Sequence, residues 1–193
     1  MAELSVTKEK LISLCPCNLD KRLELFGTKN RLTVTQALSL GVSIPDILWV
    51  ASRLGRKDLC VRYALLCAQR VSYLNTNPRV QAALDATNSW LDNPCDETRA
   101  DAAYAAVAAY SDAAARAANA AYAAAYAAYA AAYAYSDAAA RAANAAYDAA
   151  DAARAARTTY TARAARTTYA AYAAAEREAQ REIFIQVFTG KVS

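Results

Sequence analysis

The chain has 193 residues, a net charge of +4 and no histidine, and its length fits one domain or one domain with a helical arm. The absence of histidine removes the usual general base, the Ser-His and Cys-His nucleophile pairs and the commonest metal ligand, so we expect no enzyme, no metal and no cofactor. The positive excess is small and both signs of charge are interspersed, so nucleic acid is not an expected partner.

The first half of the chain predicts short helices with clear start and stop signals. They lie after Thr7 and before Pro16, from Asn18 as N-cap to Gly27, from Thr33 to Gly41, and from residue 43 to Gly55. Thr33 and Gln36 have the spacing of a capping box, in which two residues satisfy each other's backbone N–H groups. Pro45 falls in a first helical turn, where its missing N–H costs nothing.

Two longer helices follow, over RKDLCVRYALLCAQRVSYL and NPRVQAALDATNSWL. In the first, Leu59, Tyr63, Leu66 and Arg70 recur every three to four residues, which is typical of one helix face. The second begins at Asn77-Pro78 and is expected to end before Asn93-Pro94. No stretch alternates with period two in β-branched residues, so no sheet is expected.

From residue 96 onward alanine dominates, and no strong helix breaker occurs before residue 190. Alanine is the best helix former because it loses no side-chain entropy. A single helical rod of some 85 residues would be roughly 130 Å long and would bury little apolar surface. We therefore expect residues 99–188 to fold back on themselves. The predicted fold is all-α, with short N-terminal helices followed by long alanine-rich helices packed as a bundle or hairpin. Residues 1–94 form one region, and residues 95–193 form a second that packs on it or self-associates.

Two sequence repeats stand in the alanine-rich region. YSDAAARAANAAY occurs at 110–122 and again at 135–147, and ARAARTTY occurs at 153–160 and 162–169. A 25-residue offset returns to nearly the same helix face, whereas an offset of nine does not. The weakest helical points are expected near 111–112, 136–137 and 158–161.

The first repeat presents two polar constellations. Arg116 with Asn119, and Arg141 with Asn144, place a guanidinium and an amide on one helix face, where they could hold a phosphate or carboxylate. The alternative is a solvated face with ion pairs to neighbouring aspartates. Tyr122 and Tyr126 begin an aromatic stripe, which is either a platform for a planar ligand or a core seam between helices.

The five cysteines are expected to be reduced. They are Cys15, Cys17, Cys60, Cys67 and Cys95. Their number is odd, and the N-terminal MAELSVTKEK lacks the apolar core of a signal peptide, which predicts a cytoplasmic protein. Their spacing does not match a zinc site, so we expect buried thiols in a helical core.

Three segments carry a resemblance to a known family. DLCVRYALLCAQRV, NPRVQAALDATNSWLDN and the closing EREAQREIFIQVF resemble the bacterial and phage immunity-protein-five-like family of immunity proteins. The matching positions are Asp58, Arg62, Cys67, Pro78, Arg79, Ala86, Trp90, Leu91, Glu176 and Gln180. The resemblance implies an all-helical fold and no known catalysis.

These observations favour a non-enzymatic binding or neutralising protein of bacterial or phage conflict, of the immunity or anti-defence type. It would occupy a toxin or defence protein, or sequester an anionic signal molecule. The predicted contact residues are Arg62, Arg79, Arg116, Asn119, Tyr122, Tyr126, Arg141 and Asn144. The alternative is a structural helical assembly protein, for example a phage component, in which alanine and tyrosine seams form the contacts of a homo-oligomer. A membrane is not an expected partner, because alanine and tyrosine partition weakly into lipid.

Overall fold

The computed structural model describes residues 3–14, 16, 18–74, 77–111, 144 and 165–190. The elements in chain order are β1 (Ser5–Thr7), α1 (Lys8–Ser13), α2 (Leu19–Glu24), β2 (Arg31–Thr33), α3 (Val34–Ser39), α4 (Ile44–Arg53), α5 (Lys57–Val71), a 3-10 turn (Ser72–Leu74), α6 (Pro78–Asp92), α7 (Asp96–Ser111) and α8 (Ala165–Thr189). Helices dominate, so the predicted all-α class is confirmed apart from one small sheet.

The expectation of no sheet is wrong. Strands β1 and β2 pair antiparallel, with Val6 opposite Leu32. Strands of three residues are too short to show period-two alternation, so the sequence carries no signal for them. Backbone hydrogen bonds of residues next to the two strands also stabilise the sheet. The Leu4 N–H donates to the carbonyl of Phe188 at 3.0 Å, and the Val34 N–H donates to the carbonyl of Leu4 at 3.1 Å.

The start signals of the helices are confirmed by their hydrogen bonds. The Thr33 side chain accepts from the Gln36 N–H at 3.3 Å, and the Gln36 side chain accepts from the Thr33 N–H at 3.1 Å, which completes the capping box of α3. Asn77 caps α6 through its side chain. Asn18 occupies the expected N-cap position of α2, but its backbone is left-handed with φ 57° and its side chain makes no capping hydrogen bond.

The described apolar residues form two buried clusters. The larger one, here called the main core, surrounds α5 and includes Leu48, Val61 and Leu84, all of which are fully buried. The smaller one, here called the N-terminal cluster, is formed by Leu11, Phe26 and Leu32. Helix α5 faces α4, α6 and α8, so it is the central element of the fold.

Both described ends of the alanine-rich region reach the main core. Ala102 and Ala106 of α7 lie there together with Phe184 and Phe188 of α8. In one straight helix, residues 106 and 184 would be more than about 100 Å apart, so the region is not a single rod. The predicted boundary at 94/95 stays a prediction. Residues 112–143 and 145–164, which contain most of both repeats and the expected weak points at 136–137 and 158–161, lie outside the described residues.

Candidate functional site

The predicted contact residues are only partly within the described part of the chain. Arg62 on α5 and Arg79 on α6 are exposed, and Asn144 is an exposed helical residue. The others, Arg116, Asn119, Tyr122, Tyr126 and Arg141, lie outside the described residues. Arg62 is nine residues before the end of α5, or about 14 Å along the helix axis, whereas Arg79 opens the next helix. The structure therefore does not bring Arg62 and Arg79 into one site.

An exposed aromatic residue comes shortly before Arg79 in the chain. Tyr73, in the turn after α5, is 70% exposed. Arg79 follows six residues later, in the first turn of α6. We call Tyr73 and Arg79 the α5–α6 corner. Tyr and Arg are the side chains most enriched among the energetically dominant residues of protein interfaces, so this corner is suited to a protein partner.

A second aromatic ring is exposed on α7. Tyr104 is 81% exposed. It lies opposite to Ala102 and Ala106, which are fully buried in the main core, because residues two apart point to nearly opposite sides of a helix. Tyr104 therefore offers a matched control for the ring at the α5–α6 corner.

A polar cluster lies within the interface between α5 and α8. The Arg70 Nε donates to both carboxylate oxygens of Glu176, at 3.1 Å to Oε1 and 2.9 Å to Oε2. Tyr63 and Cys67 lie on the same side of α5 and are buried, and the Tyr63 ring packs edge-on against Phe184 at 5.4 Å between centroids. Residues far apart in sequence thus converge, and Cys67 and Glu176 are both positions of the family resemblance.

The buried thiol and phenol of this interface are held in their neutral forms. Burial raises the pKa of the Cys67 thiol to about 12. Burial also raises the pKa of the Tyr63 phenol. Because a thiolate is the nucleophilic form of cysteine, Cys67 is inert at neutral pH. The cluster is therefore suited to fastening α8 to α5 and not to nucleophilic chemistry.

The other described cysteines differ from each other. Cys60 is fully buried and its thiol donates to the Leu48 carbonyl at 3.6 Å, as expected for a core thiol. Cys95 is half-exposed, which corrects the expectation that it is buried. Its contact with the Thr98 hydroxyl at 3.4 Å, and backbone N–H groups of the first turn of α7, lower the pKa of the Cys95 thiol.

A cavity of about 70 Å³ lies between the two apolar clusters. Its walls come from β1, α1, α2, β2, α3 and α4 and the turns between them. The described lining residues are Leu4, Ser5, Val6, Leu11, Arg22, Leu25, Phe26, Leu32, Thr33, Val34, Ala37, Val42, Asp46, Ile47 and Val50. Nearly all of the lining surface is apolar.

A half-buried ion pair lies at the polar edge of this cavity. The Arg22 Nη2 donates to Asp46 Oδ1 at 2.7 Å, and the Ser43 hydroxyl donates to Asp46 Oδ2 at 2.8 Å. Burial by itself would raise the pKa of Asp46, but the hydrogen bonds from Arg22 and Ser43 outweigh it and hold the pKa of that carboxyl below its usual value. An apolar cavity with a few converging polar groups is the usual form of a small-molecule site. The sequence analysis missed this site, since Arg22 and Asp46 are 24 residues apart.

The fold and these sites define an α-helical protein with a two-stranded sheet. Comparison with protein-family models, curated proteins and solved structures finds no match to the chain. The resemblance to the immunity-protein-five-like family therefore stays a prediction. Within the described ranges, no helix has both the length and the apolar character of a bilayer span. The same residues contain no cluster of three or more Cys, Asp or Glu that could hold a metal ion.

Proposed function

We propose that the protein is a non-enzymatic binding protein of bacterial or phage conflict, which neutralises a toxin or defence protein by occupying its surface. The observation that carries this proposal is the α5–α6 corner. It offers a 70% exposed Tyr73 ring in the turn after α5 and an exposed Arg79 in the first turn of α6. Burying a tyrosine ring on a partner removes a large apolar area from water while its hydroxyl keeps a hydrogen-bonding end.

The helices around this corner provide a firm support for it. Helix α5 is buried along most of its length, with Val61, Ala64 and Ala68 essentially inaccessible. Val80 and Leu84 of α6 lie in the same core. The corner is thus attached to two helices that cannot shift without opening the main core. A surface that is already ordered loses less conformational entropy when it binds, which favours tight binding.

The test is to measure the solution mass of the full chain, alone and mixed with each protein encoded by the adjacent genes. We expect one stoichiometric complex. Tyr73→Ala together with Arg79→Ala is expected to weaken the complex about 30-fold or more. A loss of about 30-fold corresponds to about 2 kcal/mol, which is the contribution of one dominant interface residue. Tyr104→Ala removes an equally exposed ring from another helix and is expected to leave the affinity unchanged.

Two other outcomes would contradict the proposed interface or the proposed function. A complex that survives the double substitution would remove the α5–α6 corner from the proposed interface. A chain that forms a polymer by itself and no complex with a neighbouring protein would favour the structural assembly function instead.

A further inference from the structure

We propose that the cavity between the main core and the N-terminal cluster binds a short branched aliphatic carboxylate. Its hydrocarbon would fill the cavity, and its carboxylate would pair with Arg22, which lines the cavity. This site shares no residue with the α5–α6 corner, so it does not depend on the protein partner proposed above.

The size of the cavity limits the hydrocarbon. Its volume is about 70 Å³, roughly half of the ~150 Å³ in which an engineered cavity of another protein holds one benzene molecule. That space accommodates a branched group of about three or four carbons. It excludes a nucleobase or a long acyl chain.

The chemistry of the walls favours hydrocarbon over water. Aliphatic and aromatic side chains such as Leu11, Leu25, Phe26 and Ile47 form the lining. An enclosed water needs about two to four polar partners, and this lining offers almost no polar surface. Ala37 forms part of the wall, and a larger side chain at that position would occupy the space.

The polar edge of the cavity holds a cation, Arg22, and its anionic partner, Asp46. Among the described lining residues, Arg22 supplies the positive charge. Its partner Asp46 also accepts from the Ser43 hydroxyl at 2.8 Å, and it lies in the first turn of α4, where the helix dipole stabilises a carboxylate. Asp46 therefore keeps two stabilising interactions when the Arg22 guanidinium turns toward a ligand. A guanidinium also matches the planar geometry of a carboxylate.

The experiment titrates the full chain with 3-methylbutanoate and, separately, with the neutral 3-methylbutan-1-ol, while methyl NMR signals of the cavity wall are followed. We expect saturable shifts with the acid at Leu4, Ile47 and Val50, which line the cavity. The alcohol is expected to bind at least about tenfold more weakly, because a hydrogen bond to a charged group is lost.

Two substitutions with matched controls locate the ligand. Arg22→Gln is expected to weaken binding of the acid about tenfold or more. The control is Arg56, another partly exposed arginine, which pairs with the Asp58 carboxylate at 2.8 Å. Arg56→Gln should leave binding of the acid unchanged. Ala37→Leu is expected to abolish the shifts by filling the cavity, whereas Ala82→Leu makes the same change at an exposed position of α6 and should not.

Shifts that rise linearly without saturation in the unmodified protein would overturn the proposal. Equal affinities for acid and alcohol, unaffected by Arg22→Gln, would also overturn it, because the cavity would then accept hydrocarbon without recognising a carboxylate. If Ala37→Leu fails to fold, the comparison of Arg22→Gln with Arg56→Gln still decides between these outcomes.

Discussion

Two ion pairs join distant parts of the chain, and their surroundings differ. Arg70 and Glu176 connect α5 to α8, in an interface that also holds the stacked rings of Phe184 and Phe188, 4.3 Å apart between centroids. Arg22 and Asp46 connect α2 to α4 beside the cavity, where aliphatic side chains leave about 70 Å³ unfilled. Similar pairs thus accompany closely packed rings in one place and unfilled space in the other.

The two surroundings suit different roles, helix attachment at the α5–α8 interface and ligand binding at the cavity. At the α5–α8 interface Phe184 and Phe188 are fully buried, so truncating a ring or removing Arg70 creates space or strands a charge, and both are costly. Around Arg22 space already exists, so a larger wall residue or a ligand can gain contacts. We therefore expect loss of stability at the α5–α8 interface and smaller losses, or even gains, at the cavity.

The largest effect is expected for Phe184→Ala. The ring is fully buried and contacts both Tyr63 and Phe188. Its removal leaves a cavity that the surrounding helices can fill only partly, so the free energy of unfolding should fall by about 3–5 kcal/mol. Urea denaturation measures it, with Tyr104→Ala as an exposed aromatic control that should change stability by less than about 0.5 kcal/mol. A loss below about 1 kcal/mol at Phe184 would show that the interface is loosely packed.

An intermediate effect is expected for Arg70→Met. The Glu176 carboxylate is only 9% exposed and would lose its partner. A fully buried pair costs about 3–5 kcal/mol when broken. The Arg70 side chain is 45% exposed, so we expect about 1–3 kcal/mol.

Replacing both partners of this pair tests the cause. Arg70→Met combined with Glu176→Leu should recover most of the loss, since no buried charge remains. Arg99→Met breaks the pair with Asp96, whose side chain is 90% exposed, and should cost no more than about 0.5 kcal/mol. A double variant as unstable as Arg70→Met would point to lost packing of the arginine stem.

A gain is expected for Ala37→Leu at the cavity wall. Filling the space should raise the free energy of unfolding by about 1 kcal/mol, within the range usual for cavity-filling substitutions. Ala82→Leu at the exposed control position should stay within about 0.5 kcal/mol of the unmodified protein. Thermal unfolding of the two variants and of the unmodified protein measures these changes in stability. A destabilised Ala37→Leu variant would show that the wall cannot accept a leucine rotamer.

The smallest effect concerns the acid dependence of the Arg22–Asp46 pair. The folded pKa of Asp46 lies below its ordinary value of 3.8, so the pair stabilises the fold above that value and loses its contribution as the pH falls through the folded pKa. Because both side chains are partly exposed, we expect at most about 1 kcal/mol. The stability difference between the protein and Asp46→Asn should therefore be present at neutral pH and shrink below pH 3.8. A difference that does not change with pH would exclude the charge of Asp46 as its cause.

Local signals alone determined most of the helices. Thr7, Thr33 and Asn77 cap helices where the sequence places them, and Pro78 opens α6. A cap involves residues two or three apart, so its energetics are complete within a few residues of sequence. The glycines that end the short helices have positive φ, for example 78° at Gly41, which also follows from a single residue type.

The candidate sites depended on the tertiary structure. Arg70 and Glu176 are 106 residues apart, and Arg22 and Asp46 are 24 apart, so no local pattern pairs them. The sheet likewise joins Ser5 to Thr33 through backbone groups that every residue carries. The family resemblance marked Cys67 and Glu176, yet only the packing of α8 on α5 shows that both belong to one interface.

The cavity could not be predicted from the sequence for a further reason. Ala37 follows the apolar pattern of a short helix as well as a larger residue would, and the sequence does not indicate whether the opposite wall reaches it. Cavity volume is a small difference between the large volumes of side chains and the space that their helices enclose. Helix starts are decided by hydrogen bonds within one turn, whereas a cavity is decided by how several elements fit together.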